Sequence, residues 1–170
     1  MFSFNKTPVF VAVGAAAIAL DQITKFWANS HFPGWSVQVI GDLLRWTLVY
    51  NENAAFSMRP QAILPWLSPT VFFGVLTLIA CVAVVVFYRS IKKENWIERL
   101  SVVLIISGAI GNFIDRLRIG KVIDWIDCDF PDFIMYRFAT FNLADSWVTI
   151  GIALLFVSSF VFKRQKNEIR

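Results

Sequence analysis

The 170-residue chain contains one histidine and two cysteines, which leaves little material for chemistries built on those side chains. Zinc sites normally draw on several His or Cys ligands. Here there are only His31, Cys81 in the middle of an apolar run, and Cys128, so no zinc site is expected, and a carboxylate-bound magnesium, the alternative left open, has no dedicated signal. No serine or cysteine stands in a context that suggests a nucleophile beside its base. His31, in the turn-like run His31-Phe32-Pro33-Gly34, offers no such base, and serine catalysis is not expected. A Gly-rich phosphate loop is missing, as are internal repeats and low-complexity tracts, and no cofactor is implied. Cys81 and Cys128 fall too far apart in the expected layout to form a disulfide. Charge is scarce as well. Charged residues make up 16% of the chain, hydrophobic ones 57%, and the mean hydropathy is +0.61. Soluble domains hold about 45–50% apolar and about 25% charged residues, so this composition belongs in a bilayer.

A membrane-spanning helix needs about 20 mostly apolar residues. Four stretches reach that length, at about 8–28, 66–88, 97–117 and 141–162. They predict an all-α integral membrane protein with a single domain over 1–170 and no separate soluble part. The first stretch has a second reading as a cleavable secretory signal, because Lys6 precedes the apolar run from Pro8 to Leu20. Continuation of that run through Ile23, Phe26 and Trp27 favours a span. Lys6, Arg89, Lys92, Lys93, Arg99, Lys163, Arg164, Lys166 and Arg170 gather at one set of span ends. The positive-inside rule places those ends, and both termini, in the cytoplasm. The long connections 29–65 and 118–140 then lie on the outer face. The net charge of +4 therefore reports topology, and no nucleic-acid partner is expected.

Within the first outer connection, Val37 to Ile40 and Leu44 to Tyr50 read as strands, the second by its alternation, with Gly41-Asp42 as the turn between them. A small extracytoplasmic β-sheet would lay one face toward lipid or substrate, with Trp35 and Trp46 at headgroup level. In the second connection Asp124, Asp127, Asp129 and Asp132 alternate with Trp125, Ile126, Phe130, Phe133, Ile134 and Tyr136. This predicts a short interfacial segment, either a lid over a membrane-level site or an ordinary solvated loop. Asp127, Asp129 and Asp132 are expected in water. The second span carries no ionisable group before Tyr88 and reads as scaffold, whereas Ser107, Gly108, Ala109 and Gly111 of the third offer a surface for close helix packing.

Ionisable and amide residues are costly inside a membrane, so a cluster of them is a functional hypothesis. Asp21 and Lys25 share a face near the outer end of the first span. Asn112, Asp115 and Arg116 do so at the outer end of the third, and Asn142 with Asp145 at the start of the fourth. All arrive at one depth, where Asn51, Asn53 and Asp124 can join them. Asp21 with Lys25 reads first as a structural ion pair, Asp115 with Arg116 as a brace for the helix end, and Asn112 and Asn142 as interhelical glue. Asp124 and Asp145 resist such readings, since Asp145 has no cation within four residues on its own helix. Two carboxyls brought together in a poorly solvated site cannot both ionise cheaply, so one keeps a proton and the other acts as base. Such a pair can activate water and protonate a leaving amine. A proton- or ion-coupled transporter is the competing reading, although its acids would be expected near the midplane with repeated halves; a membrane scaffold would leave the two acids unused.

The runs Asp21-Gln22-Ile23-Thr24-Lys25, Asn51-Glu52-Asn53-Ala54-Ala55-Phe56-Ser57, Gly111 to Arg116 continuing from Gly120 to Asp124, and Phe141 to Ser146 resemble, in order and spacing, the motifs of bacterial lipoprotein signal peptidases. The resemblance covers essentially the whole chain. It implies an inner-membrane aspartic endopeptidase with Asp124 and Asp145 as the catalytic dyad. Asn51, Asn112, Arg116 and Asn142 would line the substrate site, with Asp115 beside them and Asp21 and Lys25 in support. It implies diacylglyceryl-modified prolipoprotein substrates cut just before the lipidated cysteine, contact with membrane lipids, and inhibition by globomycin-type peptides; a monomer is expected. Asn53 stands where the family usually has Gly, and Trp125 where Phe is common. Leu78-Ile79-Ala80-Cys81 has the look of a lipobox, but its mid-helix place makes it a coincidence.

Overall fold

The computed structural model describes residues 7–52, 66, 68–92, 95–129 and 138–168. Its elements are α1 (Thr7–His31), β1 (Val37–Ile40), β2 (Leu44–Asn51), α2 (Pro69–Ser90), α3 (Trp96–Ile119), β3 (Val122–Cys128) and α4 (Leu143–Glu168). Three of the helices, α1, α2 and α3, are long and apolar enough to cross a membrane, and α4 has a shorter apolar stretch at Leu143–Ser159. Burial is inverted relative to a soluble protein. Asp21, Lys25, Asp115 and Asn142 are at most 1% exposed, while Val11, Phe26, Leu78 and Phe156 are more than 60% exposed. Apolar side chains turned outward and charged ones inward are what a lipid solvent selects.

Helix α3 is the hub, packed against α1, α2, α4 and β3, while α2 packs against α3 alone among the elements. The α3–α4 seam is closed by glycine. A Cβ built on Gly108 would lie 2.2 Å from the Ala144 carbonyl oxygen, and one on Gly151 would lie 2.7 Å from the Ser101 carbonyl oxygen. Small residues let the two backbones meet where no hydrophobic effect drives helices together. Ser68 caps α2, accepting from the Val71 amide, with Pro69 in the first turn, where its missing N–H costs nothing. Gly120, at φ 74°, ends α3 in the left-handed conformation and donates its N–H to the Arg116 carbonyl. That turn sends the chain directly into β3.

The three strands form an antiparallel sheet in the order β1-β2-β3. The two strands read from the sequence are present; β3, inside the second outer connection, was not foreseen. Its pairing with β2 sets Val49 opposite Asp124 and Arg45 opposite Asp127. Asp127, expected in water, is 5% exposed and pairs with Arg45 at 3.1 Å; the cross-strand position supplies a cation that the linear order hides. Asp129 lies 3.7 Å from the same Arg45. Asp132, the rest of the expected lid at 130–137, and Asn53 lie outside the described residues. Trp27 and Phe32 of the α1 end meet Trp46 and Trp125 edge-on or tilted, which seats the sheet on the outer end of α1. Trp46 is thus half-buried in this cluster, and Trp35 remains 54% exposed. His31 closes α1 as its last residue, bonded to the Trp27 carbonyl rather than lying in a turn.

Candidate active site

The site is made by two short-range devices that meet. On α4, Asn142 and Asp145 form a reciprocal cap: the Asn142 Oδ1 accepts from the Asp145 amide at 3.0 Å, and the Asp145 Oδ2 accepts from the Asn142 amide at 3.3 Å. The cap fixes the Asp145 rotamer at the first turn. Just upstream, Phe141 is bridged to β3, its N–H donating to the Ile126 carbonyl and its own carbonyl accepting from Trp125 and Ile126. This bridge holds the start of α4 beside the strand that carries Asp124.

Asp124 is 2% exposed. Its Oδ1 accepts from Asn142 Nδ2 at 2.6 Å and its Oδ2 from Asn51 Nδ2 at 3.0 Å. Asp145 Oδ1 accepts from Asn112 Nδ2 at 2.8 Å, and Asn142 Nδ2 also approaches Asn112 Oδ1 at 3.1 Å. Two side-chain amides therefore link the two carboxyls. Burial pushes the Asp124 carboxyl up to about 6; the Asn51 bond opposes this, the nearby Asp145 charge adds to it, and Asn142 and Lys25 pull it back.

Behind the amides lies a charged layer. Lys25 Nζ reaches Asp21 Oδ2 and Asp115 Oδ2, both at 2.9 Å, and Asn112 Oδ1 at 2.8 Å. Asp21 Oδ1 accepts from the Ala144 amide at 2.9 Å, satisfying an orphan donor of the α4 N-terminus. Asp115 Oδ2 also accepts from the Ile123 amide at 3.2 Å, which anchors β3 next to Asp124. The expected Asp21–Lys25 pair is present but extends to a third partner. Asp115 is braced by Lys25 and not by Arg116, because successive residues point to different sides of a helix. Arg116 instead stacks 4.5 Å over the Phe73 ring and senses the charges of Asp145, Asp124 and Asp115.

Nine of the residues singled out from the sequence, Asp21, Lys25, Asn51, Asn112, Asp115, Arg116, Asp124, Asn142 and Asp145, lie in this one connected arrangement; the tenth, Asn53, is outside the described residues. Two participants went unnoticed. Gln22 Nε2 donates to Asp115 Oδ1 and to the Gly111 carbonyl, both at 3.1 Å; an amide at membrane depth in α1 was the available signal. Phe73 gave no signal, since nothing in the apolar run of α2 marks this ring as the one that meets Arg116. Among the described residues, no three His, Cys, Asp or Glu side chains come together as metal ligands would. Chemically, the arrangement offers two carboxyls of unequal environment, held by donors and backed by a nearly balanced ionic layer.

Comparison with known proteins agrees with this architecture. The family model described as signal peptidase (SPase) II matches residues 13–161. The chain is 38% identical over 151 residues to the lipoprotein signal peptidase of Hydrogenovibrio crunogenus, covering 89% of this chain and 84% of that protein. It is 39% identical over 153 residues to that of Streptococcus pyogenes serotype M1, covering 89% and 93%. Two solved bacterial membrane enzyme structures superpose with TM-scores of 0.78 and 0.77, each at 30% identity. The first covers 95% of this chain and 92% of its own, the second 89% and 92%.

Proposed function

The chain belongs to the signal peptidase II family, a bacterial membrane protease that removes signal peptides from prolipoproteins, and on that premise we propose that Asp124 and Asp145 are its catalytic dyad. The observation that carries this assignment is the pair of carboxyls delivered by β3 and α4 and joined through Asn142 and Asn112. One carboxylate takes a proton from water as it attacks the scissile carbonyl, and the protonated partner donates to the developing oxyanion. The tetrahedral adduct then collapses as a proton passes to the leaving amine, so no covalent enzyme intermediate forms. Arg116, near the charges of Asp145 and Asp124, and Asn51, bonded to Asp124 Oδ2, serve the substrate backbone.

In this reading α4 is the fourth span, both termini face the cytoplasm, and the dyad sits at the outer face of the inner membrane. The acids gather at the outer ends of α1, α3 and α4 together with the sheet, which suits a scissile bond tethered at the surface by a diacylglyceryl group. A monomer is expected. The test is to offer the purified protein a diacylglyceryl-modified prolipoprotein beside the same precursor with its cysteine replaced by alanine. Only the lipid-modified precursor is expected to be cut, just before the cysteine, and globomycin is expected to block the reaction. Equal cleavage of both precursors would refute lipid recognition.

A further inference from the structure

We propose that Phe73 of α2 is a positioning residue whose ring aims the Arg116 guanidinium at the substrate peptide, so that α2 takes part in binding as well as in framing the bundle. The inference rests on the dyad and on the role of Arg116 given above, and adds to them the group that holds Arg116 in place.

A guanidinium has five N–H donors, no acceptor and a permanent charge. Arg116 is half-buried beside the charges of Asp145, Asp124 and Asp115, yet among the described residues no carboxylate pairs with it. Those three acids are already served. Asp124 accepts from the side-chain amides of Asn142 and Asn51, and Asp145 from that of Asn112 and from the Asn142 backbone. Asp115 takes Lys25, Gln22 and the Ile123 amide. The hydrogen bond that Arg116 does make, from Nη1 to the Asn112 carbonyl at 3.4 Å, stays within its own helix and is long. A side chain of this length otherwise samples many rotamers. What remains to hold it is the Phe73 ring, whose centroid lies 4.5 Å from Cζ.

Phe73 is well placed for that task. Among the described side chains of α2 it is the one that is buried, at 6% exposure, while Val71, Val75, Leu76 and Leu78 around it are more than 50% exposed. Lipid solvates a phenyl ring as well as protein does, so no hydrophobic effect turns this ring inward; a cation against its face is what lipid does not offer. Gly74 helps to bring it there, since a Cβ built on Gly74 would lie 3.1 Å from the Phe113 ring, so close does the outer end of α2 sit to α3. Phe72 meets the Phe73 ring edge-on, with centroids 5.2 Å apart. A cation–π contact engages the charge of the guanidinium and consumes no N–H, whereas a bidentate carboxylate would take two. Held by the ring, Arg116 keeps its donors for the carbonyl oxygens of a peptide lying beside the dyad.

The test follows cleavage of lipid-modified precursor by wild type, Phe73→Leu, Phe73→Tyr, Arg116→Gln and the double variant of Phe73→Leu with Arg116→Gln, alongside thermal melting. Leucine keeps an apolar side chain and has no π face. Phe73→Leu is expected to raise KM about fivefold with kcat nearly unchanged, and Phe73→Tyr, which keeps the ring, to restore most of that loss. In the Arg116→Gln background the leucine substitution should add little, since its effect runs through the guanidinium. Phenylalanine carrying one, two or three ring fluorines at position 73 keeps its shape while the negative face of the ring weakens, so KM should climb with fluorine number at constant melting temperature. Wild-type KM in a folded Phe73→Leu, a Phe73→Tyr no better than leucine, a KM indifferent to fluorine, or an equal loss with and without Arg116 would each overturn the proposal. Arg116→Gln with wild-type KM would instead strike the role of Arg116 on which it rests, and failure of the wild type to cleave would strike the dyad.

Discussion

Asp124 has the most perturbed environment whose consequence can be stated with a sign. Its carboxyl titrates near 6 in the folded protein against 3.8 when unperturbed. In a dyad that works with one proton, activity is lost when that proton leaves, so the basic limb of kcat/KM is expected near pH 6 in the free enzyme. A profile flat from pH 5 to 8 would contradict this. The same shift acts on stability. The folded state binds the proton more tightly than the unfolded one, so this contribution is fully present below pH 3.8 and is lost as pH rises through about 6, amounting to on the order of 2–3 kcal/mol. Wild-type melting temperature should therefore fall between pH 4 and 7 more steeply than that of Asp124→Asn, and parallel curves would refute it. At this scale the sequence was informative because helical spacing alone groups Asp21 with Lys25 and Asn142 with Asp145. Contacts across elements were not legible: Asp115 found Lys25 instead of Arg116, and Arg116 found Phe73.

α1, α2 and α3 were readable from their apolar lengths, since the bilayer imposes a minimum span on a crossing helix, whereas the apolar stretch of α4, Leu143–Ser159, is shorter. Strand β3 was not, because its acidic and aromatic alternation fits a surface segment equally well, and only pairing with β2 decides the matter. Arg45 and Asp127 mark that pairing. Arg45→Ala removes the guanidinium 3.1 Å from the buried Asp127 carboxylate and is expected to cost about 1–3 kcal/mol in thermal unfolding. Arg45→Met with Asp127→Leu should recover most of that loss; no recovery would show that the pair is not what joins the strands. The helix seam gives a second contrast. Gly108→Ala puts a methyl within 2.2 Å of the Ala144 carbonyl oxygen, whereas Gly14→Ala meets only side-chain atoms at 3.2 and 3.3 Å. The first should displace α4, and Asp145 with it, lowering both melting temperature and cleavage. The second should be nearly neutral in melting. Equal effects would show that the α3–α4 approach is not limiting.

For the whole molecule, the charge asymmetry of the chain sets a topology that the positions of Asp42 and Lys92 can report. In a background with Cys81 and Cys128 replaced by alanine, a membrane-impermeant thiol reagent should label Asp42→Cys in intact spheroplasts and Lys92→Cys only after permeabilisation. The reverse pattern would turn the site to the cytoplasm. The central claim, that two aspartates without a metal perform the cleavage, is tested most directly by purified wild type, Asp124→Asn and Asp145→Asn acting on a diacylglyceryl-modified prolipoprotein in detergent, each with and without EDTA. Wild type should cut equally in both conditions, while both variants, folded by their melting curves, should fall by about a thousandfold or more. Normal cleavage by either variant, or loss of wild-type cleavage in EDTA, would contradict it.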